Sequence, residues 1–248
     1  MTVMPGAEPW SADGSDVGVL VLHGFTGSPK SVTPWAHALA AEGWTVRVPR
    51  LPGHGTRWQD MNLTTWEDWY AEADRNVREL QSRCSHVFVM GLSMGGSLTL
   101  RLAEHHGDAI RGIVLVNPAV QTERWDRHLL PLLQRFIPSF PGISNDIAKP
   151  GQDEGAYDVI PLKAAHSMSF LWKAIKEDIA KVTQPLLLFR SMEDHVVEAS
   201  NAEYILTHVS STDATEVLLR DSYHVATLDH DAAIIERDSI AFVRRLLA

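Results

Sequence analysis

The sequence predicts an α/β protein: a mostly parallel central sheet, helices on both faces and one inserted segment capping an edge of the sheet. Three observations carry that prediction. Short, continuously apolar runs alternate with helical patterns along most of the chain, and unbroken apolarity marks strands buried on both faces. One such run, His86-Val87-Phe88-Val89-Met90, leads through Gly91-Leu92-Ser93-Met94-Gly95 directly into the helix-like stretch Ser97 to Ala103. From Gln121 to about Val182 the alternation stops.

Taken in order, strands are expected at Val17 to Leu22, Thr45 to Pro49, His86 to Met90, Gly112 to Val116, Pro185 to Phe189 and Glu216 to Leu219. Gly, Pro, Asp or Asn bound these runs, as turns require. Helical patterns fill the gaps at Ser31 to Ala41, Trp66 to Gln81, Ser97 to His106, Asn201 to His208 and Asp231 to Leu247. Repeated strand–helix alternation builds a parallel sheet with helices on both sides. Ahead of the first clear strand there is room for one short extra strand near Pro9 to Ala12 and little more. Trp66 and Trp69 read as the buried face of their helix.

The interrupting segment divides the chain into a first core part, 1–120, an insertion, 121–182, and a second core part, 183–248. Its first half is apolar but broken by Pro131, Pro138 and Pro141, a density that permits only short helical pieces. Its second half places Ala165, Met168, Leu171 or Trp172, Ile175 and Ile179 at three- and four-residue steps, an amphipathic helix. An apolar, irregular insertion between two core strands predicts a cap over the carboxyl edge of the sheet. The plainer alternative is a long crossover that packs on the core.

Composition narrows the function. A chain of 248 residues suits one well-buried core. Its net charge of −9 argues against a nucleic-acid partner, which needs clustered Lys and Arg, and against docking to anionic lipid. A single cysteine, Cys84, rules out an internal disulfide and fits a reducing compartment. The first residues lack a basic and an apolar region of the secretory kind, and no run is long enough to span a membrane, so a cytoplasmic enzyme is expected.

The junction at Gly91 to Gly95 carries the chemistry. A strand, a G-x-S-x-G turn and a helix together make a nucleophile elbow, a strained turn that lifts the Ser93 hydroxyl clear of the sheet. The flanking glycines are expected because a Cβ there would collide where strand and helix cross. Serine needs a base, and the base needs an acid to orient it. Asp194, just past a strand end, and His224, after the last strand, complete a Ser–acid–His order in the chain. Glu193 competes with Asp194, which is preferred because Val196-Val197 anchors the loop just beyond it. Asp221 is a remoter rival. His195 abuts the acid and is expected to face solvent, so His224 is taken as the base.

An oxyanion hole is expected from two backbone amides, those of Met94 and of Phe25 in His23-Gly24-Phe25-Thr26-Gly27. His23 is expected to brace that loop by hydrogen bonds, and Gly53-His54-Gly55 reads as a turn near the pocket wall. Other chemistries fit poorly. Lys30-Ser31 follows Pro29 where a phosphate loop needs glycine. No dinucleotide fingerprint follows a strand, and no H-E-x-x-H metal motif occurs.

His23-Gly24-Phe25-Thr26-Gly27, Arg50 to Thr56, Gly91 to Gly96, Glu193-Asp194-His195-Val196-Val197 and Tyr223 to Asp229 together resemble the bacterial monoacylglycerol lipases. These stand beside small bacterial carboxylesterases in the α/β-hydrolase fold. The resemblance runs from Ala7 to Leu246 and is weakest in the proline-rich half of the insertion. It implies Ser93 as nucleophile, Asp194 and His224 as its partners, and Phe25 and Met94 as amide donors. It also implies a cap carboxylate that binds the glycerol hydroxyls, with Asp158 the nearest position, an Asp where well-matched members carry Glu. A solvated loop carboxylate is the other reading of Asp158. Tyr223 stands where many members have Gly.

The expected activity is hydrolysis of monoacylglycerols and similar short- to medium-chain esters through an acyl-enzyme, without metal or organic cofactor. The alternatives are a general carboxylesterase, an acyltransferase and a silent hydrolase fold that binds a small apolar ligand.

Overall fold

The computed structural model describes residues 2–248, apart from the side chains at positions 126 and 127. In chain order the strands are β1 (Trp10–Ala12), β2 (Val17–Leu22), β3 (Thr45–Val48), β4 (His86–Leu92), β5 (Gly112–Val116), β6 (Ser139–Pro141), β7 (Val159–Pro161), β8 (Leu186–Ser191) and β9 (Ala214–Leu219). The α-helices are α1 (Thr33–Ala41), α2 (Trp58–Met61), α3 (Trp66–Arg83), α4 (Met94–His106), α5 (Leu130–Leu133), α6 (Leu162–Asp178), α7 (Ser200–His208) and α8 (Ala232–Leu247).

Seven strands form one sheet in the order β1-β3-β2-β4-β5-β8-β9. Only β1 runs antiparallel to its neighbour; the other pairings are parallel. β2, β4 and β5 lie in the middle with almost every residue buried, which is why their sequences are apolar without alternation. Successive residues still point to opposite sides and divide the interior in two. Leu20, Val89, Ile113 and Leu188 pack with Trp69, Leu80, Leu98 and Leu100 from α3 and α4. Val19, Phe88, Val114 and Phe189 pack with Trp35, Leu39, Ile235 and Phe242 from α1 and α8. The Thr65–Asp68 capping box, in which the Thr65 amide donates to Asp68 at 2.8 Å, starts α3 one residue before Trp66.

The insertion between β5 and β8 is not strand-free. β6 and β7 pair antiparallel, with Phe140 opposite Ile160. The prolines that hid this ribbon sit at its ends, at positions 138, 141 and 161, where a short edge tolerates them. The helix expected in the second half is present as α6, but its apolar positions serve two surfaces. Leu171 and Ile175, with Ile179 just past its end, enter the core, whereas Ala165, Met168 and Trp172 line a cavity. Tyr157 fastens the insertion to the core: its hydroxyl donates to the Gly53 carbonyl at 2.8 Å and accepts from the Thr56 amide at 3.0 Å. The Gly53-His54-Gly55 turn therefore receives the insertion rather than lining the cavity.

Candidate active site

Ser93 occupies the crossing of β4 and α4 with φ 55° and ψ −118°, a left-handed conformation that costs a non-glycine residue of order 1–3 kcal/mol. Main-chain bonds hold it there. The Ser93 amide donates to Val116 at 2.9 Å, and its carbonyl accepts from Gly96 at 2.9 Å and Ser97 at 3.2 Å. The flanking glycines are sterically required. A Cβ on Gly91 would fall on the Gly95 carbonyl, and one on Gly95 would fall on the Leu22 carbonyl.

Above Ser93 opens a cavity of about 880 Å³, walled on one side by strand-end loops and on the other by the insertion. That volume suits a ligand of small-lipid size. Ser93, Asp194 and His224 all line it. His224 Nδ1 donates to Asp194 Oδ2 at 2.8 Å. Asp194 Oδ1 accepts the amides of Val196 and Val197, both at 2.8 Å, so the loop after β8 holds the carboxylate at a fixed angle. Burial pushes the Asp194 pKa up, but the charge and hydrogen bond of His224 and the two amides outweigh it and set it below the usual carboxylate value. Burial pushes the His224 imidazole down; Asp194 outweighs that, and Glu154 and Asp146 add to it, so its pKa lies above the ordinary 6.5.

Phe25 lines the same cavity, in a loop so close to the elbow that a Cβ on Gly24 would lie 3.3 Å from Ser93 Cβ. Met94 buries its side chain in the core, and as the first residue of α4 its amide has no acceptor within the helix. The Met94 amide thus follows Ser93 directly, and the loop that carries Phe25 lies against the elbow. His23 does brace the Phe25 loop. It accepts from the Leu51 amide at 3.2 Å, which leaves Nδ1 to donate to Gly24 O at 3.0 Å. Burial lowers its pKa to about 4, so it stays neutral.

Asp158 is not brought to this site. It is exposed, its partner is Ser144 Oγ at 3.3 Å, and it does not line the cavity. Three insertion carboxylates do line it, Asp146, Glu154 and Glu177; of these Glu154 is partly buried, with Oε1 accepting the Asn145 amide at 2.9 Å. Burial raises its pKa despite that hydrogen bond and the charge of His224. Two more polar residues at the site were not legible in the sequence. Asn117, with φ 43°, accepts from the Ser191 amide and donates to the His224 carbonyl, both at 2.8 Å. It ties the loops of acid and base to the end of β5. Asp146, from the insertion, bonds both those loops as well. His195 is exposed, as expected, with its Nδ1 2.7 Å from Asp146 Oδ1.

A strand-end serine on an elbow, beside an imidazole paired with a buried carboxylate at one cavity, defines a serine hydrolase of the α/β-hydrolase fold. The family model for serine aminopeptidase, S33 (Hydrolase_4) matches residues 15–231, and the chain belongs to that family. The thermostable monoacylglycerol lipase of Bacillus sp. (strain H-257) is 44% identical over 242 residues, covering 97% of this chain and 95% of that protein. Among solved structures, one from work on the metagenome-derived lipolytic enzymes LipS and LipT superimposes with a TM-score of 0.95 at 40% identity, covering 98% of this chain and 100% of that one. The monoacylglycerol lipase of Paleococcus ferrophilus shares the fold, with a TM-score of 0.79 at 20% identity over 99% of this chain and 98% of that one. With these relatives the chain is an ester hydrolase. No helix among the described residues is long and apolar enough to cross a membrane.

Proposed function

We propose that the protein cleaves monoacylglycerols to fatty acid and glycerol, with Ser93, His224 and Asp194 as its triad and the insertion as its cap. The observation that carries the reading is one cavity holding three kinds of surface. Ser93 and His224 line it, Leu133, Phe140, Ile160, Met168 and Trp172 offer apolar walls, and Glu154 is among its carboxylates. An acyl chain would occupy the apolar part, and the free glycerol hydroxyls would meet Glu154. The 44% identity to a monoacylglycerol lipase supports the same substrate class. A cytoplasmic location, as the single cysteine suggests, belongs to this reading.

In this mechanism Ser93 Oγ attacks the ester carbonyl while His224 Nε2 accepts its proton. Asp194 holds the Nδ1–H tautomer and stabilises the imidazolium. The Phe25 and Met94 amides bind the tetrahedral oxyanion, each contributing about 2.7–4 kcal/mol of transition-state stabilisation. His224 passes its proton to the departing glycerol oxygen, and water then releases the fatty acid by the same steps in reverse.

Because His224 must be neutral to act as base, kcat/KM falls on the acid side as the imidazole protonates. The Asp194, Glu154 and Asp146 carboxylates favour the imidazolium, so the midpoint of that fall is expected above pH 6.5. A pH profile on a p-nitrophenyl ester checks it; a midpoint below 6.5 contradicts it.

Glu154→Ala is expected to weaken hydrolysis of 1-lauroylglycerol by roughly 10- to 150-fold in kcat/KM, the loss of one charge-assisted hydrogen bond of about 1.5–3 kcal/mol. Hydrolysis of p-nitrophenyl laurate, which offers no hydroxyls, should change far less. Asp158→Ala should separate the two substrates not at all. Equal losses on both substrates from Glu154→Ala would favour a general carboxylesterase.

A further inference from the structure

Asp146 touches more of the triad's framework than any single contact with its own segment requires. It belongs to the insertion, yet it is buried, with 9% of its surface exposed. Its Oδ2 accepts the His224 amide at 3.1 Å and the His195 amide at 3.2 Å. Its Oδ1 takes His195 Nδ1 at 2.7 Å, and its main-chain carbonyl accepts the Val225 amide at 3.0 Å. One residue therefore joins the loop that carries His224 to the loop that carries Asp194. The neighbouring contacts reinforce the joint. Asp229 accepts the Ala148 amide at 2.7 Å and the Tyr223 amide at 2.9 Å, a second tie between the insertion and the His224 loop. The Tyr223 ring packs edge-on against His195 with centroids 4.7 Å apart and so helps to seat it.

We propose that Asp146 is a positioning residue for ester hydrolysis: through the His224 and His195 amides it holds base and acid in register, and its charge supports the imidazolium. The proposal rests on the reading of His224 as base. A buried carboxylate is costly unless its oxygens are satisfied, and here the groups that satisfy it belong to the two loops whose spacing sets the His224–Asp194 bond. The insertion would thereby hold the catalytic geometry as well as wall the cavity.

The charges that act on His224 come from several elements. Asp194 pairs with it from the loop after β8, while Glu154 and Asp146 reach it from the insertion. His195 sits on Asp146, with Glu193 Oε1 3.4 Å from its other ring nitrogen. The Asp146 hydrogen bond and charge favour the protonated form of His195, and a protonated His195 offsets the Asp146 charge felt by His224.

Three variants separate positioning from mere anchoring. Asp146→Ala removes every side-chain acceptor and should lower kcat by between about tenfold and about 10²-fold, with KM little changed, the scale of a misplaced catalytic group. Asp146→Asn keeps an oxygen for the His224 amide but no charge. It should recover most of that kcat while moving the acid limb of kcat/KM to lower pH. His195→Gln leaves Asp146 uncompensated and should move the limb to higher pH. Acid limbs unchanged in all three, with kcat falling only as the folded fraction measured by circular dichroism falls, would overturn the proposal. Should Asp146→Asn fail to fold, His195→Gln decides alone, because His195 is exposed, and an unmoved limb there overturns it. Ser93→Ala distinguishes failure of the triad from failure of the positioning role. Turnover retained in that variant would remove the triad itself, whereas turnover lost there keeps the triad and leaves the Asp146 and His195 variants to decide.

Discussion

Ser93→Ala is expected to abolish ester hydrolysis and leave the fold intact. The substitution deletes only Oγ. The bonds that shape the elbow are main-chain ones, from the Ser93 amide to Val116 and from Gly96 and Ser97 to the Ser93 carbonyl. Alanine suffers the same strain at φ 55° as serine, so the melting temperature should hardly move. Removal of the nucleophile in another serine hydrolase lowers kcat by about 10⁶-fold, and a loss of that order is expected here. Thermal melting and turnover on a p-nitrophenyl ester, measured on the same preparation, check both halves. Loss of activity accompanied by unfolding would leave Ser93 a structural residue.

Asp194→Asn is expected to cost nearly as much, up to about 10⁴-fold in kcat on the serine-protease precedent. Here the geometry gives a specific reason. The amides of Val196 and Val197 both donate to Oδ1. An asparagine in this loop would keep its oxygen on those two donors and turn its NH₂ group toward His224 Nδ1, 2.8 Å from the present Oδ2. Two donors cannot face each other, so the imidazole would carry its proton on Nε2, where it cannot accept one from Ser93. Glu193→Gln should do far less, since the Glu193 carboxylate is exposed and reaches His195, not His224. Reversed outcomes for the two variants would transfer the acid role to Glu193.

What the sequence made legible follows from how local each signal is. β2, β4 and β5 are apolar throughout because they are buried on both faces, and that shows in any window containing them. The elbow is equally local: Gly91, Ser93 and Gly95 fall within a single turn, and their steric demand is written in the residue types. Asp194 and His224 follow strand ends, where parallel sheets present their loops. The insertion was harder. β6 and β7 are three residues each and are defined by pairing with one another, so neither has a pattern of its own.

The carboxylates illustrate the same limit. Asp158 and Glu154 both sit in a polar stretch that reads as a solvated turn, and only the fold tells which of them faces the cavity. Glu154 does so because it exchanges hydrogen bonds with Asn145, nine residues away, each amide donating to the other's side chain at 2.9 Å. Asn145 holds φ 54°, a conformation that Asn tolerates better than most side chains. Asp146 is bound 49 and 78 residues away along the chain, to His195 and His224, and no spacing in the sequence encodes that. Asn117 was visible only as the residue just after β5, a strand end on the face where the site forms.

Covalent labelling bears on Ser93 as the nucleophile. Treating the intact protein with a fluorophosphonate, locating the adduct by peptide mass spectrometry and following residual activity tests that role most directly. One adduct per chain on Ser93, with activity lost in proportion to labelling and no labelling of Ser93→Ala, is the predicted result. An adduct on another residue, or full turnover by protein whose Ser93 is labelled, would exclude Ser93 as the nucleophile.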